Sequence, residues 1–136
     1  MAREMNTPLV RFGGNFTPSY HWTDGVGPRD KRKNALNNSW GTPEYNSFGT
    51  NEFLVSCRQI GTQPQVALNL GSGTPEEAPA WVRYVDEHWT VHSGLLWSLA
   101  TNFGVTGILP IPRAINSRNG LRNSVKPFTR WIRRPG

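Results

Sequence analysis

VALNLGSGTPEE, residues 66–77, passes from a strand into a helix through a glycine-bracketed turn. Val66, Ala67, Leu68 and Leu70 form a nearly continuous apolar run, of the kind covered on both faces in a parallel sheet. Thr74-Pro75-Glu76-Glu77 reads as a helix start, with a threonine cap, proline at the first helical position and a glutamate three residues after the cap. Ala78, Trp81, Val82 and Val85 supply that helix's buried stripe.

Towards the N-terminus the same logic repeats. From Thr50 the spacing of Phe53, Leu54, Cys57 and Ile60 places four apolar side chains on one helical face, and Gly61 stops the helix. Leu9 to Phe12 predicts a buried strand that ends at Gly13-Gly14, where a sharp exit or close approach of a ligand is possible. The order is β, long loop, α, β, short loop, α, which argues for a parallel α/β sheet or barrel. In such barrels the loops after the strands build the site at the C-terminal face.

The first of those loops is unusual. Arg11 to Arg32, RFGGNFTPSYHWTDGVGPRDKR, combines a double glycine, four aromatics and a histidine without strand or helix period. About 37 residues separate Phe12 from the helix at Thr50, and connections of that length are mostly functional or disordered. The aromatics argue against disorder. Aromatic faces beside a few amide and carboxylate groups suit a sugar, whose C–H faces stack and whose hydroxyls take hydrogen bonds. A nucleotide fits less well: Gly71-Ser72-Gly73 is only a GxG, position 76 is Glu where a dinucleotide fingerprint needs Gly, and two glutamates at the helix start repel phosphate.

The chain of 136 residues suffices for one ordinary domain, loop-rich because of 14 Gly and 11 Pro. Cys57 is its single cysteine, so no internal disulfide forms, and MAREMNTP lacks the apolar core of a secretory signal; both favour a cytoplasmic location. Charge is uneven. Residues 1–87 hold eight Lys/Arg and nine Asp/Glu, whereas residues 88–136 hold seven Lys/Arg and no acid, so the net +6 belongs to the tail. Its arginines are scattered among Pro, Gly and Asn without a helical face, which favours an irregular solvated tail over a nucleic-acid surface. Residues 93–112 are uncharged but interrupted by Ser, Thr, Asn and Gly and closed by two prolines, a poor membrane span.

Four motifs now stand in order: Arg11-Phe12-Gly13-Gly14-Asn15-Phe16; Tyr20-His21-Trp22-Thr23-Asp24-Gly25-Val26-Gly27-Pro28; Phe48-Gly49-Thr50-Asn51-Glu52-Phe53; and Val66 through Glu77. Together, over roughly residues 8–86, they resemble the family 51 α-L-arabinofuranosidases. The resemblance implies a fragment of a (β/α)8 TIM barrel, its second and third βα units, in residues 1–87, followed by an unrelated basic tail in residues 88–136. It further implies an enzyme that hydrolyses terminal α-L-arabinofuranosyl groups of arabinan or arabinoxylan with retention of configuration and without a cofactor. The partner is then an arabinose-containing polysaccharide or oligosaccharide. Two βα units leave unpaired, association-prone strand edges.

A retaining glycosidase needs two carboxyl groups about 5 to 5.5 Å apart. In the family the acid/base glutamate lies in an Asn-Glu pair after the fourth strand and the nucleophile on a later strand. Asn51-Glu52 instead opens a helix, and no carboxylate follows Glu87. No residue of this chain is therefore assigned a catalytic role; the abrupt change at His88 points to a shifted or truncated reading frame, or to an appended segment. Binding positions do carry over. By resemblance Asn15 contacts the sugar, Trp22 and Trp40 match aromatic loop positions, and Asn69 orders the site or caps the following turn.

Other constellations point to structure. Asp24 reads as part of a DG turn and Asp30 as part of the solvated charge run PRDKRK, rather than as a carboxylate pair. His88 and His92 have helical spacing but no accompanying ligand set, so no metal site is expected. Cys57 reads as a small buried hydrophobe.

Overall fold

The computed structural model describes residues 7–14, 16–37, 40–89, 94–101 and 104–110, those after Ser98 by their backbone. Strand β1 (Leu9–Phe12) leads into three single 3-10 turns at Thr17–Ser19, Trp22–Gly25 and Arg29–Lys31. A small hairpin of β2 (Ala35–Asn37) and β3 (Thr42–Glu44) follows, then α1 (Thr50–Ile60), β4 (Gln63–Asn69), α2 (Glu77–His88), β5 (Leu96–Thr101) and β6 (Gly104–Pro110).

β1, β4 and β5 are parallel neighbours joined by the two helices, and β6 adds antiparallel to β5. The expected α/β class with a parallel sheet is thus observed. β4 is central, and Pro64 to Asn69 are all buried, which explains its apolar run. β1 lies at the sheet edge among the described residues, so only Phe12 is buried and Arg11 is exposed, less cover than the sequence led us to expect.

Two further differences have physical causes. The 37-residue connection is built from one-turn helices and three-residue strands, elements too short to display a period in sequence. The segment expected to be an irregular tail contributes β5 and β6 to the same sheet; the expectation for residues 111–136 lies outside the described residues. Neither strand alternates polar and apolar residues strictly, and Ser98, at the middle of β5, is fully buried against β4, with its hydroxyl 3.4 Å from the Val66 carbonyl.

The core lies between the sheet and the two helices, and Trp81 is at its centre. Its ring lies 6.1 Å from Trp22 in near-parallel stacking, 6.1 Å from Tyr20, 6.4 Å from Phe12 and 6.0 Å from Trp97. Its indole N–H donates to the Thr50 hydroxyl at 2.9 Å, so the buried polar atom at the start of α1 is satisfied by α2. α1 ends as expected, with Gly61 left-handed at φ 73°. α2 begins later than its motif suggests. The Glu77 N–H closes a turn onto the Thr74 carbonyl, and the regular helix runs from Glu77.

Two glycines let the long loop touch α1. A β-carbon on Gly49 would overlap the Gly25 carbonyl, and one on Gly25 would overlap the Tyr20 hydroxyl. Gly49→Ala is therefore expected to destabilise the chain by about 2–3 kcal/mol through overpacking, whereas Gly14→Ala, with open space around it, should change stability by less than about 0.5 kcal/mol. Urea denaturation of the two variants checks the contrast.

Candidate functional site

The loops that follow β1 and β4 emerge at the same end of the parallel sheet and are bonded to each other. The Ser72 N–H donates to the Pro18 carbonyl at 2.8 Å. Asn69 makes the second tie: its amide nitrogen donates to the Tyr20 carbonyl at 3.0 Å and to the Ser72 hydroxyl at 3.1 Å, while its carbonyl accepts the N–H groups of Gly71 and Ser72. Buried to 4 % exposure, Asn69 thus caps its own turn and ties it to the first loop.

Arg32 clamps the far end of the first loop to α1. Its guanidinium donates to the carbonyls of Gly27 and Asn46 and forks onto both oxygens of Glu52, at 2.8 and 3.1 Å. Arg29 adds a third contact to Glu52 at 3.3 Å, and the Gly49 N–H donates to the same carboxylate at 2.9 Å. The Arg32 side chain is only 2 % exposed, so the reading of PRDKRK as a solvated run fails at this residue, while Asp30 is exposed as expected. Partial burial pushes the Glu52 carboxyl up, but the hydrogen bonds from Arg32 and Gly49 outweigh it and hold the group at about 2.

A second latch joins the loop to α2. His21 Nδ1 lies 3.0 and 3.1 Å from the two Glu77 oxygens, and the Trp22 indole N–H donates to the Glu77 carbonyl at 3.2 Å. Glu77, expected to serve the helix cap, is thus engaged by a residue 56 positions earlier. Sequence reasoning placed His21 in the loop and in the Tyr20-to-Pro28 motif but did not foresee its pairing with Glu77.

Beside these ties lies a shallow recess lined by Phe16, Tyr20, His21, Asp24, Asn37 and Glu44 among others. Tyr20 forms part of its floor, and burial drives its phenol well above the ordinary range. Glu44 accepts from the Asn37 amide at 3.4 Å, and Lys33 lies 3.7 Å from Asp24.

The four expected binding residues divide. Asn15 lies outside the described residues. Trp22 is packed inside, at 8 % exposure, between Trp81 and Tyr84. Trp40 stands at the tip of the β2–β3 hairpin, 64 % exposed, with its ring available to a ligand. Asn69 joins the two loops as described. Elsewhere, burial pushes the Cys57 thiol up to about 11, in keeping with a small hydrophobe. His88 is occupied by the Tyr84 carbonyl at 2.8 Å, and its sequence companion His92 lies outside the described residues. No helix among the described residues is long and apolar enough to cross a membrane.

Comparison with known proteins identifies the architecture. The chain is 52 % identical over 83 residues to alpha-L-arabinofuranosidase C of Emericella nidulans, covering 60 % of this chain and 16 % of that protein. The solved structure of the thermostable GH51 alpha-L-arabinofuranosidase from Thermotoga petrophila superposes with a TM-score of 0.60 at 43 % identity, over 61 % of this chain and 18 % of that one. That of the alpha-L-arabinofuranosidase from Thermotoga maritima in complex with arabinose reaches 0.65 at 26 % identity, over 96 % of this chain and 30 % of that one. The class is that of the arabinofuranosidase-type glycoside hydrolases. Within it, the chain belongs to the alpha-L-arabinofuranosidase 1 domain family, matched over residues 1–92. It spans about one sixth of the curated relative's length.

The clamp and the packed tryptophan give separable predictions. Glu52 is held below its ordinary 4.5, so its stabilising effect is complete above that pH and is lost as pH falls towards 2. Glu52→Gln should cost about 2 kcal/mol at neutral pH and flatten the acid dependence of stability between pH 4.5 and 2, measured by denaturation across that window. Trp22→Ala should destabilise by about 3 kcal/mol or more, whereas Trp40→Ala should stay within about 0.5 kcal/mol, by the same measurement.

Proposed function

We propose that this chain forms one wall of the substrate cleft of an α-L-arabinofuranosidase, corresponding to the second and third βα units of a (β/α)8 barrel in residues 1–87. The observation that carries the reading is the bonding of the two strand-following loops at the C-terminal end of a parallel sheet, within the segment that matches the family. Asn15 and Trp40 contact the sugar, and Trp22 and Asn69 hold the loop that presents them. The ligand is an arabinose-containing polysaccharide or oligosaccharide such as arabinan or arabinoxylan. The lone, buried Cys57 suits a cytoplasmic setting.

The intact enzyme hydrolyses terminal α-L-arabinofuranosyl groups with retention, and this wall contributes binding, not bond cleavage. Retention requires an acid/base and a nucleophilic carboxyl about 5 to 5.5 Å apart. Glu52 is bound up in the arginine clamp, Glu77 in the histidine latch, and no acid follows Glu87. In the family the acid/base glutamate follows the fourth barrel strand; β5 stands in that place beside β4, and no acid lies in it or after it. A noncatalytic carbohydrate module or a basic nucleic-acid binder is the lesser reading.

The full chain incubated with 4-nitrophenyl α-L-arabinofuranoside should release nitrophenol no faster than buffer. α-1,5-linked arabinotriose should nonetheless quench its tryptophan fluorescence, and Trp40→Ala should remove most of that quench. Turnover above the buffer rate would put a working carboxylate pair inside this chain, and a quench indifferent to Trp40 would remove the hairpin from the cleft.

A further inference from the structure

The recess and the His21–Glu77 latch share one side chain. His21 lines the recess, its side chain is 39 % exposed, and its Nδ1 faces both oxygens of a Glu77 carboxyl that is itself only 14 % exposed. An ionised carboxylate only accepts, so Nδ1 carries the hydrogen and the ring's orientation is fixed by α2. In the neutral imidazole the other nitrogen, Nε2, then bears the lone pair, and it has no protein partner among the described residues. The Trp22 indole bonds the Glu77 carbonyl one residue along the loop, so ring and backbone are both immobilised against the same helix end.

We propose that His21 is a sugar-binding residue: Nε2 accepts a hydrogen bond from a hydroxyl of an arabinofuranosyl unit lying across the mouth of the recess, with Glu77 holding the imidazole in the accepting tautomer. The inference rests on the arabinofuranoside reading above and adds to it a residue and an atom.

The surroundings suit a neutral polyol. Asp24 and Glu44 bring carboxylate acceptors, and Phe16 and Leu36 offer apolar surface to a C–H face. A hydroxyl donates into such a set, whereas a phosphate would meet two carboxylates. His21 is poised like a ligand-binding imidazole whose second nitrogen is fixed by a carboxylate, an arrangement in which the supporting group sets which nitrogen offers its lone pair.

The test uses the full chain with 15N-labelled histidine, titrated with α-1,5-linked arabinotriose and, as control, with maltotriose. The Nε2 resonance of His21 should shift with arabinotriose, Nδ1 should move far less, and maltotriose should leave both in place. His21→Phe should weaken arabinotriose binding at least tenfold by fluorescence titration. Glu77→Gln, whose amide oxygen still accepts from Nδ1, should keep binding within about threefold. If arabinotriose binds and quenches Trp40 while the Nε2 resonance stays fixed, the His21 assignment is overturned and the cleft reading stands. If arabinotriose does not bind at all, both fall. The wild-type resonance decides the matter even where His21→Phe fails to fold.

Discussion

Four parts of the molecule that are remote in sequence meet at one indole. Trp81 comes from α2, yet its ring touches Phe12 on β1, Tyr20 and Trp22 from the long loop and Trp97 on β5, and its N–H satisfies Thr50 at the head of α1. A large flat side chain can do this because it presents two faces and an edge, each accepting a ring in a favourable geometry, together with one polar handle. Stacking against Trp22 is what turns a loop into part of the core. Together with the Tyr20 contacts to Phe12 and Trp81, it gives the 37-residue connection an apolar surface to lie on, which offsets part of the entropy lost in ordering it.

Once the loop is seated, polar ties give it a shape. Arg32 fastens its outer end to the first turn of α1, His21 fastens its middle to the first turn of α2, and Asn69 fastens it to the end of β4. Both carboxylates sit in the opening turn of their helices, where the helix dipole also favours negative charge. The same placement that stabilises the helices therefore withdraws these acids from chemistry. The bonds that shape the loop thus engage both carboxylates.

What could be read in the sequence follows from the range of the interactions. α1 was legible to the residue, since Thr50 opens it, apolar side chains recur at helical spacing and Gly61 ends it. β4 was legible from its apolar run, and the junction of two loops at one sheet end followed from topology alone. The interior of the loop was not. Trp22 and Trp40 are the same residue type in the same connection, one buried at 8 % and the other exposed at 64 %, and only the position of Trp81 separates them. Arg32 looked solvated because its neighbours are charged; its partners, Gly27, Asn46 and Glu52, converge only in three dimensions. The Glu77 pairing reaches back 56 residues, and the local cap motif offered a nearer, competing use for the same carboxylate.

The β2–β3 hairpin and the residue after it hold Leu36, Trp40 and Tyr45 in solvent, while the loop's own anchors, His21 and Arg32, precede it. Substitution of these exposed side chains costs the fold little. The exposed rim of the recess can therefore change by mutation, side chain by side chain, while its frame stays constant, so its surface chemistry can drift without first solving the problem of folding.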